Sequence, residues 1–338
     1  MDRVLILGGG ITGIQATLSL SQLGIETFLV ERGTELGGNL RMLGSTFPEG
    51  RWAPDLIENK VKEISSSKKA TILTGTELST LSGDSPQFKV VLKTPAGKRE
   101  VESGSIIVAT GFTPFAPTTL KHYGFGKCED VITALELARM IRDGKLVRNS
   151  NGKEPTSVTF IQCIGSRDLN THTYCSSFCC MYAVHLANLI KENYPHCMVT
   201  ILYMDIRTPF YSELSYEEAR RRGVKFFRSK PATIRAGKGN EHLTIQYEDT
   251  LDGELQFLNT ELVVLSIGAT PPEGTKSLAS SLKIECEESG FFKCEKPPVF
   301  TKVKGVFLAG AASGPKDITT CLAEGSAAAA QTAILLKG

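Results

Sequence analysis

Short apolar runs, each closed by glycines or polar residues, set the rhythm of this chain and predict buried parallel strands alternating with helices. Val4-Leu5-Ile6-Leu7 is the first run. Small and apolar residues from Ile14 to about Gln22 predict a helix, which Leu23-Gly24 ends. Residues 26–31 form the second strand. Further strands are predicted at 106–111, 157–161, 198–203, 263–268 and 305–310, and an alanine-rich helix from about Ile318 to Leu336. This alternation predicts an α/β fold, and 338 residues suffice for one large or two medium domains.

The segment between the first two strands carries chemistry. Gly8, Gly10 and Gly13 give G-x-G-x-x-G directly after a strand and ahead of a helix, and Glu31 follows Gly10 by 21 residues. The glycines allow a tight turn and close backbone approach. The helix N-terminus suits a pyrophosphate, and the acid suits ribose hydroxyls. Leu36-Gly37-Gly38-Asn39 offers a second place where backbone approaches a long ligand. The middle of the chain should repeat the pattern, yet Gln162-Cys163-Ile164-Gly165-Ser166-Arg167 has one glycine where three are needed. Ordinary NAD(P)H binding there is not expected.

Charge and cysteine usage narrow the picture further. A net charge of +2 gives no nucleic-acid signature, and Arg220-Arg221-Arg222 reads as a solvated helix face. No apolar run has the length of a bilayer span, and the start has no signal-peptide layout. Nine cysteines, several clustered, suit thiolates in a reducing cytosol better than a disulfide frame. Cys163, Cys175, Cys179 and Cys180 lie within eighteen residues, spaced C-x11-C-x3-C-C, with Cys179 and Cys180 opening a predicted helix. A helix N-terminus favours thiolates. A four-iron cubane takes one thiolate per iron, while zinc, buried free thiols and a redox disulfide are the competing readings. Cys128, Cys197, Cys286, Cys294 and Cys321 read as core or surface thiols, and His172 as a loop histidine.

The glycine fingerprint, Gly38, the strand ending Ala109-Thr110-Gly111 and the final Gly310 strand with its helix resemble, in order, flavoproteins with two dinucleotide-binding domains. The resemblance implies an α/β fold with two Rossmann-like domains. An FAD-binding domain at 1–145 and 266–338 surrounds an inserted NAD(P)-like domain at 146–265 that carries the cysteines. It implies FAD contacts at Gly8, Gly10, Gly13, Glu31, Arg32, Gly38, Asn39, Leu78, Thr110, Gly111, Gly310, Lys316, Asp317 and Ile318. That family has Gly-Asp after the last strand; here Gly310-Ala311 stands instead. Lys316 is expected as the catalytic residue, a cation that stabilises reduced flavin.

The string from Cys163 to Asp168, Tyr174-Cys175-Ser176 with Cys179-Cys180-Met181-Tyr182, and Gly314-Pro315-Lys316-Asp317-Ile318 resemble the A-type subunits of heterodisulfide reductase. The resemblance implies a [4Fe–4S] cluster on Cys163, Cys175, Cys179 and Cys180 and electron transfer between it and FAD. It also implies partner subunits of the B and C types, a homodimer and a cytoplasmic setting. Thr46-Phe47-Pro48 is followed by no cysteine, and no ferredoxin-like run is present, so the chain resembles the short form found with bacterial sulfur oxidation. The alternative is an NAD(P)H-dependent flavin disulfide reductase, whose C-x4-C or C-x-x-C pair is missing.

Overall fold

The structure, a computed structural model, describes residues 3–47, 50–237 and 241–337. Pro48, which closes the Thr46-Phe47-Pro48 string, lies outside them. The chain divides into two compact units. The first is Met1–Arg41, Ala53–Thr113 and Thr270–Gly338, and the second is Met42–Trp52 with Pro114–Ala269.

In the first unit five parallel strands run in the order Val306–Leu308, Ser105–Val108, Arg3–Leu7, Glu26–Val30, Ala70–Leu73. The opening strand is apolar over Val4–Leu7 because both faces are covered. Val4 and Ile6 join a core with the helices Ile11–Gln22 and Ile318–Lys337, through Ile14, Leu18, Ala328 and Ala329. Leu5 and Leu7 join a second core on the opposite face, with Phe88, Val90 and Leu92 of an antiparallel meander (Glu77–Ser82, Phe88–Thr94, Gly97–Ser103). The two-residue period of a strand thus sends alternate residues to different layers.

The second unit repeats the design. Its parallel sheet runs Lys225–Arg228, Met198–Tyr203, Ser157–Ile164, Leu262–Ile267, Val131–Thr133. Val158 and Phe160 face the helices Ala134–Arg142 and Cys179–Asn193, through Leu137, Val184 and Ala187. Ile161, Val263 and Leu265 face a second meander through Ile234, Leu243 and Ile245. The unit begins at Pro114 rather than at the expected 146. Val131–Thr133 pairs with Leu262–Ile267, and the helix after it, capped by Thr133 and Glu136, packs in the same core. The apolar pattern over 131–142 could not say which sheet this segment joins. A buried ion pair, Arg148 to Asp130 at 2.9 Å, ties the end of that segment down. Among the described residues no helix is long and apolar enough to cross a membrane. The arginine run ends the helix Ser212–Arg221, with Arg221 and Arg222 paired to Glu218.

Candidate functional site

The glycine loop of the first unit is built for close approach. A Cβ on Gly13 would lie 1.9 Å from the Gly8 carbonyl oxygen, so helix and loop touch at that point. Gly8 has φ +112° and its Cβ would meet the Ala109 carbonyl oxygen at 2.3 Å. At Gly10, by contrast, a Cβ would meet nothing within 4 Å. Gly10 N-caps the helix Ile11–Gln22 with no side-chain cap bond and no acid in the first turn. Its free N–H groups and positive dipole end therefore face open space, which is what a pyrophosphate requires.

Glu31 closes the loop from the side. Its carboxylate accepts N–H bonds from Gly9 at 2.7 Å and Gly33 at 2.6 Å. Lone pairs remain for ribose hydroxyls. Gly37 donates its N–H to Gly9 at 2.8 Å, and a Cβ on Gly38 would meet the Gly10 Cα at 3.2 Å, so the two glycine segments sit together. Asn39 spends its amide on the Phe112 carbonyl at 2.7 Å. Thr110 keeps a buried hydroxyl with no hydrogen-bond partner among the described residues, and Gly111 beside it opens to space at φ +70°. Gly8, Gly10, Gly13, Glu31, Gly38, Asn39, Thr110 and Gly111 form one constellation. Arg32 is exposed and 3.9 Å from Glu77, and Leu78 packs in the meander core. These residues, the orphaned Thr110 hydroxyl included, fit FAD.

The last helix adds detail. Asp317 is its N-cap, accepting the Thr320 N–H at 2.7 Å, so its carboxylate is engaged within the fold. Ile318 is the first helical residue and half-buried. Lys316 is no bare cation. Its ammonium pairs with Glu324 at 3.0 Å and bonds the Gly310 carbonyl at 2.9 Å and the Ser313 hydroxyl. Glu324 also accepts the Gly310 N–H at 2.9 Å. Glu324 therefore organises the turn where the expected aspartate is replaced by buried Ala311. Sequence reading passed over it, although an acid one turn and a half beyond a helix start was a visible signal.

The second unit gathers the four cysteines. Cys163 sits at the end of the central strand with φ +61°, and Arg167 and Ser177 adopt the same left-handed backbone. Cys163, Cys179 and Cys180 are buried, and Cys175 is half-buried. The helix Cys179–Asn193 starts at the cysteine pair, as its sequence implied. The thiols interact with one another. Burial, then Cys180 and Cys175, pushes Cys163 up to about 11, while the neighbouring Arg167 guanidinium opposes that rise. Cys179 and Cys180 are hydrogen-bonded to each other. The hydrogen bond between them holds Cys179 well above the ordinary thiol range and Cys180 down to about 7. All nine cysteines are free thiols.

The surrounding loop is well ordered by side chains. Arg167 pairs with Asp205, Lys230 with Asp168, and His172 bonds the Gly165 carbonyl through Nδ1 at 2.9 Å. Ser177 donates its N–H to the Cys175 sulfur at 3.3 Å, and Cys180 reaches the Asp205 carbonyl at 3.7 Å. Among the described residues no three His, Cys, Asp or Glu side chains close on a point that one metal ion could occupy. Four thiols are soft donors of the kind that hold zinc or an iron–sulfur group.

Comparison with known proteins agrees with this anatomy. Residues 2–151 match the pyridine nucleotide-disulphide oxidoreductase family. The chain is 33% identical to an iron-sulfur A-type subunit of the CoB–CoM heterodisulfide reductase of Methanopyrus kandleri, over 99% of this chain and 64% of that protein. It is 32% identical to the A-type subunit of the H(2):CoB-CoM heterodisulfide,ferredoxin reductase of Methanothermobacter marburgensis, over 100% of this chain and 64% of that one. The chain thus spans just under two thirds of these curated relatives' length. The first alignment runs over 422 positions, more than the chain itself has, so that relative carries inserted segments absent here. Among solved structures, the thioredoxin reductases of Lactococcus lactis (TM-score 0.67, 19% identity) and T. acidophilum (TM-score 0.65, 18% identity) share the fold over 99% of each chain. With about a third of its residues shared from end to end, this chain is similar along its whole length to heterodisulfide reductase A-type subunits and has a Rossmann-like, FAD-binding α/β fold.

Proposed function

We propose that the chain is an electron-transferring oxidoreductase subunit with FAD in its first unit and one [4Fe–4S] cluster on Cys163, Cys175, Cys179 and Cys180 in its second. The observation that carries this reading is the mutual influence of four free thiols, two of which open one helix. Bound there, the two groups supply the division of a two-electron transfer into single-electron steps. The chain's own residues do the rest. The helix N–H groups beyond Gly10 bind pyrophosphate, and Glu31 holds the loop and accepts from ribose. Lys316 and Glu324 fix the Gly310 turn at the last helix. Burial of three of the four thiols keeps water from the metal–sulfur bonds, and Arg167 offsets their negative charge.

The family points to work inside a larger complex with B- and C-type subunits. We assign this chain to sulfur oxidation, because it lacks segments that its methanogen relatives insert, and to a cytoplasmic homodimer on the resemblance alone. Against the disulfide reductase alternative stands the missing C-x4-C or C-x-x-C pair. An anaerobic reductive titration of the purified chain tests the proposal. Flavin bleaching and the rise of a one-electron paramagnetic cluster signal are expected in the same sample. Flavin reduction with no such signal, in protein never exposed to air, overturns it.

A further inference from the structure

A β-bulge lies under the cysteines. The strand Ser157–Ile164 pairs with Leu262–Ile267 in regular parallel register from Val158 to Ile161, and the pairing resumes only at Ile164 opposite Ile267. Gln162 and Cys163 together therefore stand opposite Ser266. Bulges of this kind re-aim side chains beside functional sites. All three residues are at most 4% exposed. Gln162 has no hydrogen-bond partner for either amide atom, and neither the Ser266 hydroxyl nor that of Ser166, which is 0% exposed, has one among the described residues. A hydrogen bond from the Ser166 N–H to the Cys163 carbonyl at 3.3 Å ties Ser166 to the same turn.

Buried polar groups are nearly always paired, and an orphaned amide in a packed core is destabilising. Four orphaned atoms, on residues that flank Cys163 along the chain or stand opposite it in register, need a partner that the protein does not supply. Three of the four, the Gln162 amide nitrogen and the two serine hydroxyls, are donors. Their partner is accordingly an acceptor, and an anionic metal–sulfur group on Cys163 is one. We infer that Gln162, Ser166 and Ser266 are hydrogen-bond donors to the sulfur atoms of the cluster held at Cys163 and set its reduction potential. The inference rests on the proposed cluster site. Donors to sulfur stabilise the more negative, reduced form, so they raise the potential.

The test compares Gln162→Leu, Ser266→Ala and Ser266→Thr with the wild-type chain, all purified anaerobically and analysed for iron. Paramagnetic resonance then follows the cluster through a redox titration. Gln162→Leu and Ser266→Ala should each favour the oxidised cluster about tenfold, a shift of about 59 mV for a one-electron couple. Ser266→Thr retains the hydroxyl and should keep the wild-type potential. A second readout uses metal-free protein. Without the cluster, Ser266→Ala removes an unmet hydroxyl and should raise the melting temperature of the apoprotein. Wild-type potentials in both loss variants, at wild-type iron content, overturn the inference while leaving the cluster in place. An iron-free wild-type chain overturns the cluster reading and this inference together, and is told apart by its metal analysis.

Discussion

Gly10 and Gly13 lie three residues apart in one motif, and the structure predicts opposite consequences for filling them. At Gly10 a side chain meets no protein atom within 4 Å, and the backbone (φ −75°, ψ −178°) is extended, so valine is sterically tolerated. Loss of a favourable N-cap residue costs about 1 kcal/mol, partly offset by about 0.4–1 kcal/mol from a stiffer unfolded chain. The metal- and flavin-free Gly10→Val protein should therefore melt within a few degrees of wild type. Its branched side chain, however, fills the space over the helix N-terminus. A loss of at least a hundredfold in FAD affinity, about 2.7 kcal/mol, is expected. Gly13→Ala behaves the other way. Its Cβ would sit 1.9 Å from the Gly8 carbonyl oxygen, so loop and helix must part. Overpacking of that kind costs about 1–3 kcal/mol, or roughly 2–4 °C of melting temperature per kcal/mol in a domain of this size. Flavin fluorescence titration and apoprotein melting read the two effects separately. Wild-type FAD affinity in Gly10→Val would place the pyrophosphate elsewhere, and an unchanged apoprotein melt in Gly13→Ala would refute the packing argument.

Three other outcomes follow from the second unit. Removal of either partner of the buried Asp130–Arg148 pair leaves an uncompensated charge, so Arg148→Met should cost about 3–5 kcal/mol in chemical unfolding, and Asp130→Asn in the same chain should restore part of it. His185, bonded to Ser45 at 2.6 Å, is pushed down to about 4 by burial. It is neutral in the fold while the unfolded chain takes a proton below about pH 6.5, so it removes stability as pH falls from 6.5 to 4, by roughly 3 kcal/mol. His185→Gln should flatten that part of the stability–pH curve, and an equally steep curve in the variant contradicts the assignment. Stopped-flow mixing with NADH should reduce the flavin of the isolated chain only slowly, because residues 162–167 form a strand end and cysteine turn rather than a glycine loop; millisecond bleaching at micromolar NADH would show that a nicotinamide site survives.

The first unit was legible because its signals are local. An apolar strand, a glycine loop and an acid at the next strand's end need only a short window of sequence. Glu31 stands beside the loop that its spacing implied. The helix opening at Cys179 was equally visible. What escaped depends on contacts distant in sequence. The strand Val131–Thr133 joins the second sheet through a partner more than 130 residues away, which no local pattern encodes. Lys316 was expected as a cation beside reduced flavin, and its pairing with Glu324, a turn and more into the last helix, is a contact that the sequence pattern did not show. The bulge opposite Ser266 arises from register between two strands that are each unremarkable alone.

The most direct measurement is the metal and sulfide content of the chain purified without air, together with that of the four single Cys→Ser variants and Cys128→Ser. About four irons, four acid-labile sulfides and one FAD per wild-type chain are predicted. Iron should fall sharply in the variants at Cys163, Cys175, Cys179 and Cys180 and stay at the wild-type level in Cys128→Ser. Stoichiometric zinc without iron in the wild-type chain, or full iron retention in all four variants, would contradict the account.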